Sequence, residues 1–158
     1  MKTQGWKYYL VFILLAEAVG VTAGLLTREA SEIYKELVVK PVLSPPAVVF
    51  PVVWTILYAL MGVSAARVWN SPESKNRGRG LNLFVAQLVV NFFWSLIFFN
   101  GQLFGFAFLW LCLLWVLVLL MILNFRKADS LAAWLQLPYL LWITFAGYLN
   151  YMVWQLNP

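Results

Sequence analysis

A chain of 158 residues with 63% hydrophobic and only 11% charged side chains cannot fold as an aqueous globule, because too much apolar surface would be left facing water. The net charge of +5 is divided among separate loops, which excludes a nucleic-acid-binding patch and leaves a membrane topology signal as its reading. Histidine is absent and Cys112 is the single cysteine, which rules out intrachain disulfides, His-based metal or haem ligation, and Ser–His or Cys–His catalysis.

A transmembrane helix needs roughly 20 mostly apolar residues. Five segments qualify, near residues 6–26, 47–69, 81–99, 105–125 and 131–154. Runs such as Leu109–Leu123 do not alternate, so they are not the strands of a β-barrel. The expected fold is an all-α membrane protein, a single five-transmembrane-helix bundle over residues 1–158.

The first span carries Glu17 and the pair Gly20/Gly24. A carboxyl group in lipid is either protonated or hydrogen-bonded inside the bundle, or it serves function. Gly20-x-x-x-Gly24 marks a tight helix contact, within the chain or between chains. Lys2, Lys7, the apolar core and Ala16-Glu17-Ala18 also fit a cleavable signal peptide. The apolar run continues to Leu26, long enough to span, so a retained helix is expected.

The longest connection, residues 27–45, reads as a lid or as an inert surface loop. Ile33 and Leu37, four apart among Glu29, Glu32 and Glu36, suggest a short amphipathic helix within it. Pro41, Pro45 and Pro46 stiffen its return to the membrane. The second span opens with Phe50, Pro51, Trp54, Tyr58 and Met61 along one stripe, an aromatic face for a neighbouring helix or for a flat ligand. Asn70–Gly80 reads as a polar turn.

The third span places Gln87, Asn91 and Ser95 on one line, polar groups that prefer the bundle interior. The fourth, rich in Leu and Val with Trp110 and Trp115, carries little chemistry, and Cys112 within it reads as a small buried hydrophobe. The fifth holds Pro138, which loosens or kinks it. Tyr139, Trp142, Ala146 and Asn150 share one of its faces, and Ala146-Gly147 leaves room there. Five helices do not divide into the equal halves of the common secondary transporters.

Counting along five spans, Lys2, Lys7, Lys75, Arg77, Arg79, Arg126 and Lys127 fall on the N-terminal side. Arg28, Lys35 and Lys40 on the other side are offset by acids. The positive-inside rule predicts a cytoplasmic N-terminus and an external C-terminus.

Together these residues resemble the translocator protein family, also called tryptophan-rich sensory proteins or peripheral benzodiazepine receptors, in its bacterial form. The resemblance rests on Lys40-Pro41, Pro45-Pro46, Phe50-Pro51, Trp54-Thr55, Tyr58 and Met61-Gly62. Gln87-Leu88, Asn91, Trp94 and Phe98-Phe99 match in the third span; Pro138-Tyr139, Trp142, Phe145-Ala146 and Leu149-Asn150 match in the fifth. It covers nearly the whole chain. It implies a five-helix bundle in a bacterial membrane, a homodimer, and a cavity between helices closed by the first loop. The implied ligands are protoporphyrin-like tetrapyrroles, sterols, and benzodiazepine or isoquinoline carboxamide drugs, with no cofactor required. Carried over by position, the pocket comprises Phe50, Pro51, Trp54, Tyr58, Asn91, Trp142, Ala146 and Leu149, with Phe106 and Leu113 from the fourth span. Tyr139 and Asn150, on the face of Trp142 and Ala146, complete it. One departure concerns sterols: no basic residue follows Tyr148 or Tyr151, so the family's sterol motif is missing.

The leading expectation is a membrane binding protein for porphyrins, acting in their sensing, trafficking or turnover. Flat macrocycles with peripheral carboxylates suit aromatic walls and a few polar groups. Without histidine, metal-free porphyrin is the better ligand. No general acid, base or metal supports dark catalysis, so an enzyme is not expected. Two alternatives stand beside this. Trp54 and Trp142 beside a photoexcited porphyrin suit light-dependent breakdown, and Glu17 suits a proton-coupled carrier.

Overall fold

The computed structural model describes residues 5–158. Six α-helices succeed one another: α1 (Gly5–Leu26), α2 (Arg28–Leu37), α3 (Val49–Trp69), α4 (Lys75–Ser95), α5 (Phe104–Ala128) and α6 (Ser130–Leu156). A π-helical turn, Leu96–Asn100, extends α4. All but α2 are long and apolar enough to cross a membrane, α4 together with its π turn. The protein is therefore an all-α, multi-pass membrane protein built as a five-helix bundle. Its helices bury their backbone hydrogen bonds internally, as lipid demands.

Each boundary has a local cause. Pro51 sits in the first turn of α3, where its missing N–H costs nothing, and Thr55 Oγ1 donates to the Pro51 carbonyl at 2.7 Å. The third span starts well before the apolar run. Ser74 Oγ accepts from the Arg77 amide at 3.1 Å and caps α4, so the basic stretch expected as a turn forms its first turns instead. Arg77 also donates to the Trp69 carbonyl and lies 4.9 Å over its ring, which fastens α4 to the end of α3. Asp129 caps α6 through the Ala132 amide at 2.9 Å and pairs with Arg67 on α3 at 2.9 Å. Pro138 lies inside α6, which continues through it.

Two ends of the bundle are recognisable from these ties. Asn70 reaches the Gly5 carbonyl, and Arg67 reaches Asp129, so the start of α1 lies beside the α3–α4 and α5–α6 connections. Lys7, Lys75, Arg77, Arg79, Arg126 and Lys127 gather at this end; Lys2 lies outside the described residues. At the opposite end Asn100 reaches the Leu26 carbonyl, and Asn157 reaches Val39.

Packing divides the helices into two groups. The first is α1 against α3; the second joins α4, α5 and α6. A side chain at Gly62 would fall on the backbone of Ile13, and one at Gly20 on the ring of Tyr58. Gly20 is thus used within the chain. Gly24, its expected partner in the small-residue motif, has open space where a side chain would stand. One large apolar core joins the groups away from α2: Met61, Ala65 and Val68 of α3 are buried together with Phe84, Met121 and Phe125. Cys112, expected inside, is exposed on the surface of α5.

This contrast sets a test. Gly62→Leu should destabilise the protein by about 3 kcal/mol or more, since backbone cannot move aside as a side chain can. Gly24→Leu should leave stability within about 0.5 kcal/mol. Thermal unfolding in one detergent compares them, and equal losses would contradict the close α1–α3 approach.

Candidate ligand-binding cavity

The gap between the two helix groups is a cavity of about 570 Å³, enclosed by α1, α3, α4 and α6 and roofed by the segment after α1. That size lies within the usual range for small-molecule sites.

One wall is aromatic. Phe50, Trp54 and Tyr58 follow one another at four-residue steps along α3, and helical geometry turns all three inward. The Trp54 and Tyr58 rings lie 5.6 Å apart and tilted by 31°. Trp142 of α6 meets this wall at right angles, 6.5 Å from Trp54 and 5.8 Å from Phe50. Ala146 and Leu149 continue the α6 side, and the small Ala146 keeps the space open.

The facing wall is partly polar, and most of its groups are spoken for. Asn91 donates to the Tyr139 hydroxyl at 2.9 Å, which donates to Gln87 Oε1 at 2.7 Å. Gln87 Nε2 completes the chain on Met61 Sδ of α3. Trp94 Nε1 donates to Asn150 Oδ1 at 3.0 Å, and Asn150 Nδ2 donates to the Phe104 carbonyl at 2.8 Å. These bonds lock α4 to α5 and α6 and fix the cavity shape. Among the described residues, the Glu17 carboxyl and the Tyr58 hydroxyl have no hydrogen-bond partner, although both line the space. Trp142 Nε1 is also buried without one.

The roof is α2 with the Pro-rich return. Its seat is Tyr34, packed 5.4 Å from both Phe98 and Phe99. Burial pushes the Tyr34 hydroxyl up to about 12, so it stays neutral. The short amphipathic helix expected from Ile33 and Leu37 is present as α2, with both residues exposed; Tyr34 is the residue that docks. Asn157, just beyond α6, clasps the return strand. Its Oδ1 accepts from the Val39 amide at 3.0 Å, and its Nδ2 donates to the Val39 carbonyl at 2.9 Å. Lys40 Nζ donates to the Lys35 carbonyl at 2.6 Å and lies 5.3 Å over the Tyr34 ring. Lys35 is paired with Glu32, whereas the Lys40 ammonium has no carboxylate partner among the described residues. A fixed positive charge therefore stands at the cavity mouth.

Of the residues expected here, Phe50, Pro51, Trp54, Tyr58, Asn91, Trp142, Ala146, Leu149 and Asn150 line the cavity. Tyr139 does not; it is fully buried behind Trp54, 6.1 Å from that ring, and acts by holding Asn91. Phe106 and Leu113 are half-exposed on the outside of α5, which contributes nothing to the cavity. The buried stripe of α5, from Phe104 through Ala107, Leu111 and Leu114, turns to α4 and α6 and carries those two residues away. Asn157 and Lys40 were missed as site residues. Nothing local in the sequence marks a clasp 118 residues away from its partner. No group of three metal-binding side chains occurs among the described residues.

The family model for the TspO/MBR family matches residues 12–155. The chain is 39% identical to "Tryptophan-rich protein TspO" of Chlorobaculum tepidum, over 91% of this chain and 92% of that protein. It is 35% identical to "Protein CrtK" of Rhodobacter capsulatus, over 95% and 92%. It is also 30% identical to "Translocator protein" of Bos taurus, over 96% and 91%.

Asn157→Ala removes both bonds of the clasp. Two exposed hydrogen bonds together contribute about 1 kcal/mol, so the open roof should become roughly fivefold more populated. Hydrogen exchange over residues 38–44 should accelerate accordingly while α5 is unchanged. Unaltered exchange at Val39 would show that the clasp does not hold the roof.

Proposed function

Since the chain belongs to the TspO/MBR family, we propose that it is a membrane binding protein for porphyrins and related tetrapyrroles, serving their sensing, trafficking or turnover. The observation that carries this reading is the cavity's division of labour. A continuous aromatic wall, Phe50–Trp54–Tyr58, stands beneath a mouth that holds the unpaired charge of Lys40. A tetrapyrrole lays its flat face on such a wall and directs its carboxylates to such a charge. Metal-free forms suit it best, because the chain has no histidine to ligate iron. The same wall suits flat drug-type ligands of the benzodiazepine and isoquinoline classes.

Orientation follows from charge: the end that gathers Lys7, Lys75, Arg77, Arg79, Arg126 and Lys127 faces the cytoplasm, and the roof with the cavity mouth faces outward. Ligand then reaches the site from the external side of the membrane.

A second reading rests on the perpendicular Trp54–Trp142 pair at 6.5 Å. Both indoles border the ligand space, so either donates an electron to a photoexcited porphyrin, with dioxygen as the terminal oxidant. Illumination of the complex with and without oxygen separates the two readings: product that forms only with light and oxygen supports breakdown, and an intact ligand supports binding alone.

Titration of the purified protein with protoporphyrin, followed by tryptophan quenching, tests the binding site. Trp54→Ala should weaken binding about thirtyfold, the cost of a central aromatic anchor of about 2 kcal/mol. Lys40→Gln should weaken it about fivefold, as befits a charge pair at an exposed mouth. The Lys40 effect should vanish with a dimethyl ester of the same ligand. Unchanged affinity in Trp54→Ala would remove the aromatic wall from the site.

A further inference from the structure

Glu17 stands halfway along α1, in the bilayer interior, where a carboxyl group without a partner is costly. It lines the cavity, yet no described residue offers it a hydrogen bond or a counter-charge. Two further groups bordering the same space are equally unmatched, the Tyr58 hydroxyl and Trp142 Nε1. The other cavity amides, Asn91 and Asn150, are satisfied by the protein itself. Polar groups left open around a cavity are those that a ligand completes.

Their placement tells which ligand. The Gly20 backbone packs directly on the Tyr58 ring, so α1 borders the aromatic wall at its Tyr58 end. Glu17, one turn before Gly20, therefore meets the edge of a flat molecule laid on Trp54 and Tyr58. The chemistry required at that edge is an N–H donor. In a closed porphyrin the N–H groups point to the ring centre, and the edge offers carbon and the side-chain carboxylates but no N–H. In an open-chain tetrapyrrole the pyrrole and lactam N–H groups lie along the concave edge and are free to converge on one carboxylate. A sterol, with a single hydroxyl at one end of a rigid apolar skeleton, cannot satisfy Glu17, Tyr58 and Trp142 together.

We infer that Glu17 is a specificity-determining residue that accepts hydrogen bonds from the in-plane N–H groups of the ligand and so selects open-chain over closed tetrapyrroles. The inference rests on the tetrapyrrole reading above and narrows its ligand class. Lys40 at the mouth takes the side-chain carboxylates in either case, so it does not discriminate between them.

The test compares biliverdin and protoporphyrin as probes on the whole detergent-solubilised protein, each titrated against wild type, Glu17→Leu and Glu17→Gln. Leucine suits a lipid-facing helix, and glutamine keeps the shape of the side chain, so both variants should fold; thermal unfolding checks this. Loss of a charge-assisted acceptor should weaken biliverdin binding at least tenfold in Glu17→Leu. Protoporphyrin binding should change less than twofold. Glu17→Gln, which retains one acceptor oxygen, should fall between. Equal effects on the two ligands, or none on either, would overturn the role of Glu17 while leaving the binding function intact. Failure of both ligands to bind the wild type would overturn the tetrapyrrole reading itself, and this inference with it.

Discussion

A polar side chain inside a bilayer has no water to fall back on, and the hydrogen-bond chain Asn91–Tyr139–Gln87 is where this protein meets that demand. The chain crosses from α4 to α6 and back, and its last donor reaches Met61 on α3. Together with Trp94–Asn150–Phe104 it fastens α4, α5 and α6 into one unit. The other unit, α1 on α3, is joined by a different means, backbone approach at Gly62 and ring-on-backbone packing at Gly20. Each unit is tight within itself. At one end Met61, Ala65 and Val68 of α3 pack into the core of the other unit; at the end under α2 the space between the units is not filled, and that space is the cavity. Its existence follows from where the strong contacts are spent.

The same division explains the character of the walls. The aromatic side belongs to α3, whose stripe from Phe50 to Tyr58 is met edge-on by Trp142 and otherwise faces open space. The polar side belongs to α4 and α6, whose amides are mostly consumed in holding those helices together. What is left over, Glu17, the Tyr58 hydroxyl and Trp142 Nε1, sits at mid-depth, and Lys40 sits at the mouth. A ligand suited to this arrangement is flat, carries polarity in its middle as well as at its edge, and bears negative charge at one end.

Much of this was legible in the sequence because lipid imposes strong patterns. Apolar runs of spanning length located all five transmembrane helices, and the four-residue steps of Phe50, Trp54 and Tyr58 announced the aromatic wall. Polar residues on a single line, Gln87, Asn91 and Ser95, pointed to an inward face. Other features depend on tertiary arrangement and left no local trace. Helix α5 is apolar on every side, so its pattern does not reveal which face is buried; Phe106, Leu113 and Cys112 lie on its exposed side. The spacing of Ile33 and Leu37 announced the short helix α2, but not that the aromatic platform of Phe98 and Phe99 would seat it through Tyr34. Gly20 and Gly24 looked alike as a pair and both line the cavity, and only packing shows that Gly20 alone is held against a neighbouring helix.

The central claim is that ligand occupies the space between the two helix units and nowhere else on the chain. Methyl-labelled protein in micelles, titrated with a tetrapyrrole, tests it directly, since the ring current of the ligand moves nearby methyl resonances in proportion to their closeness. Large shifts at Ala146 and Leu149 with none at Leu113 are predicted. Shifts at Leu113 on the outer side of α5, with Ala146 unmoved, would place the ligand on the lipid-facing surface and contradict the claim.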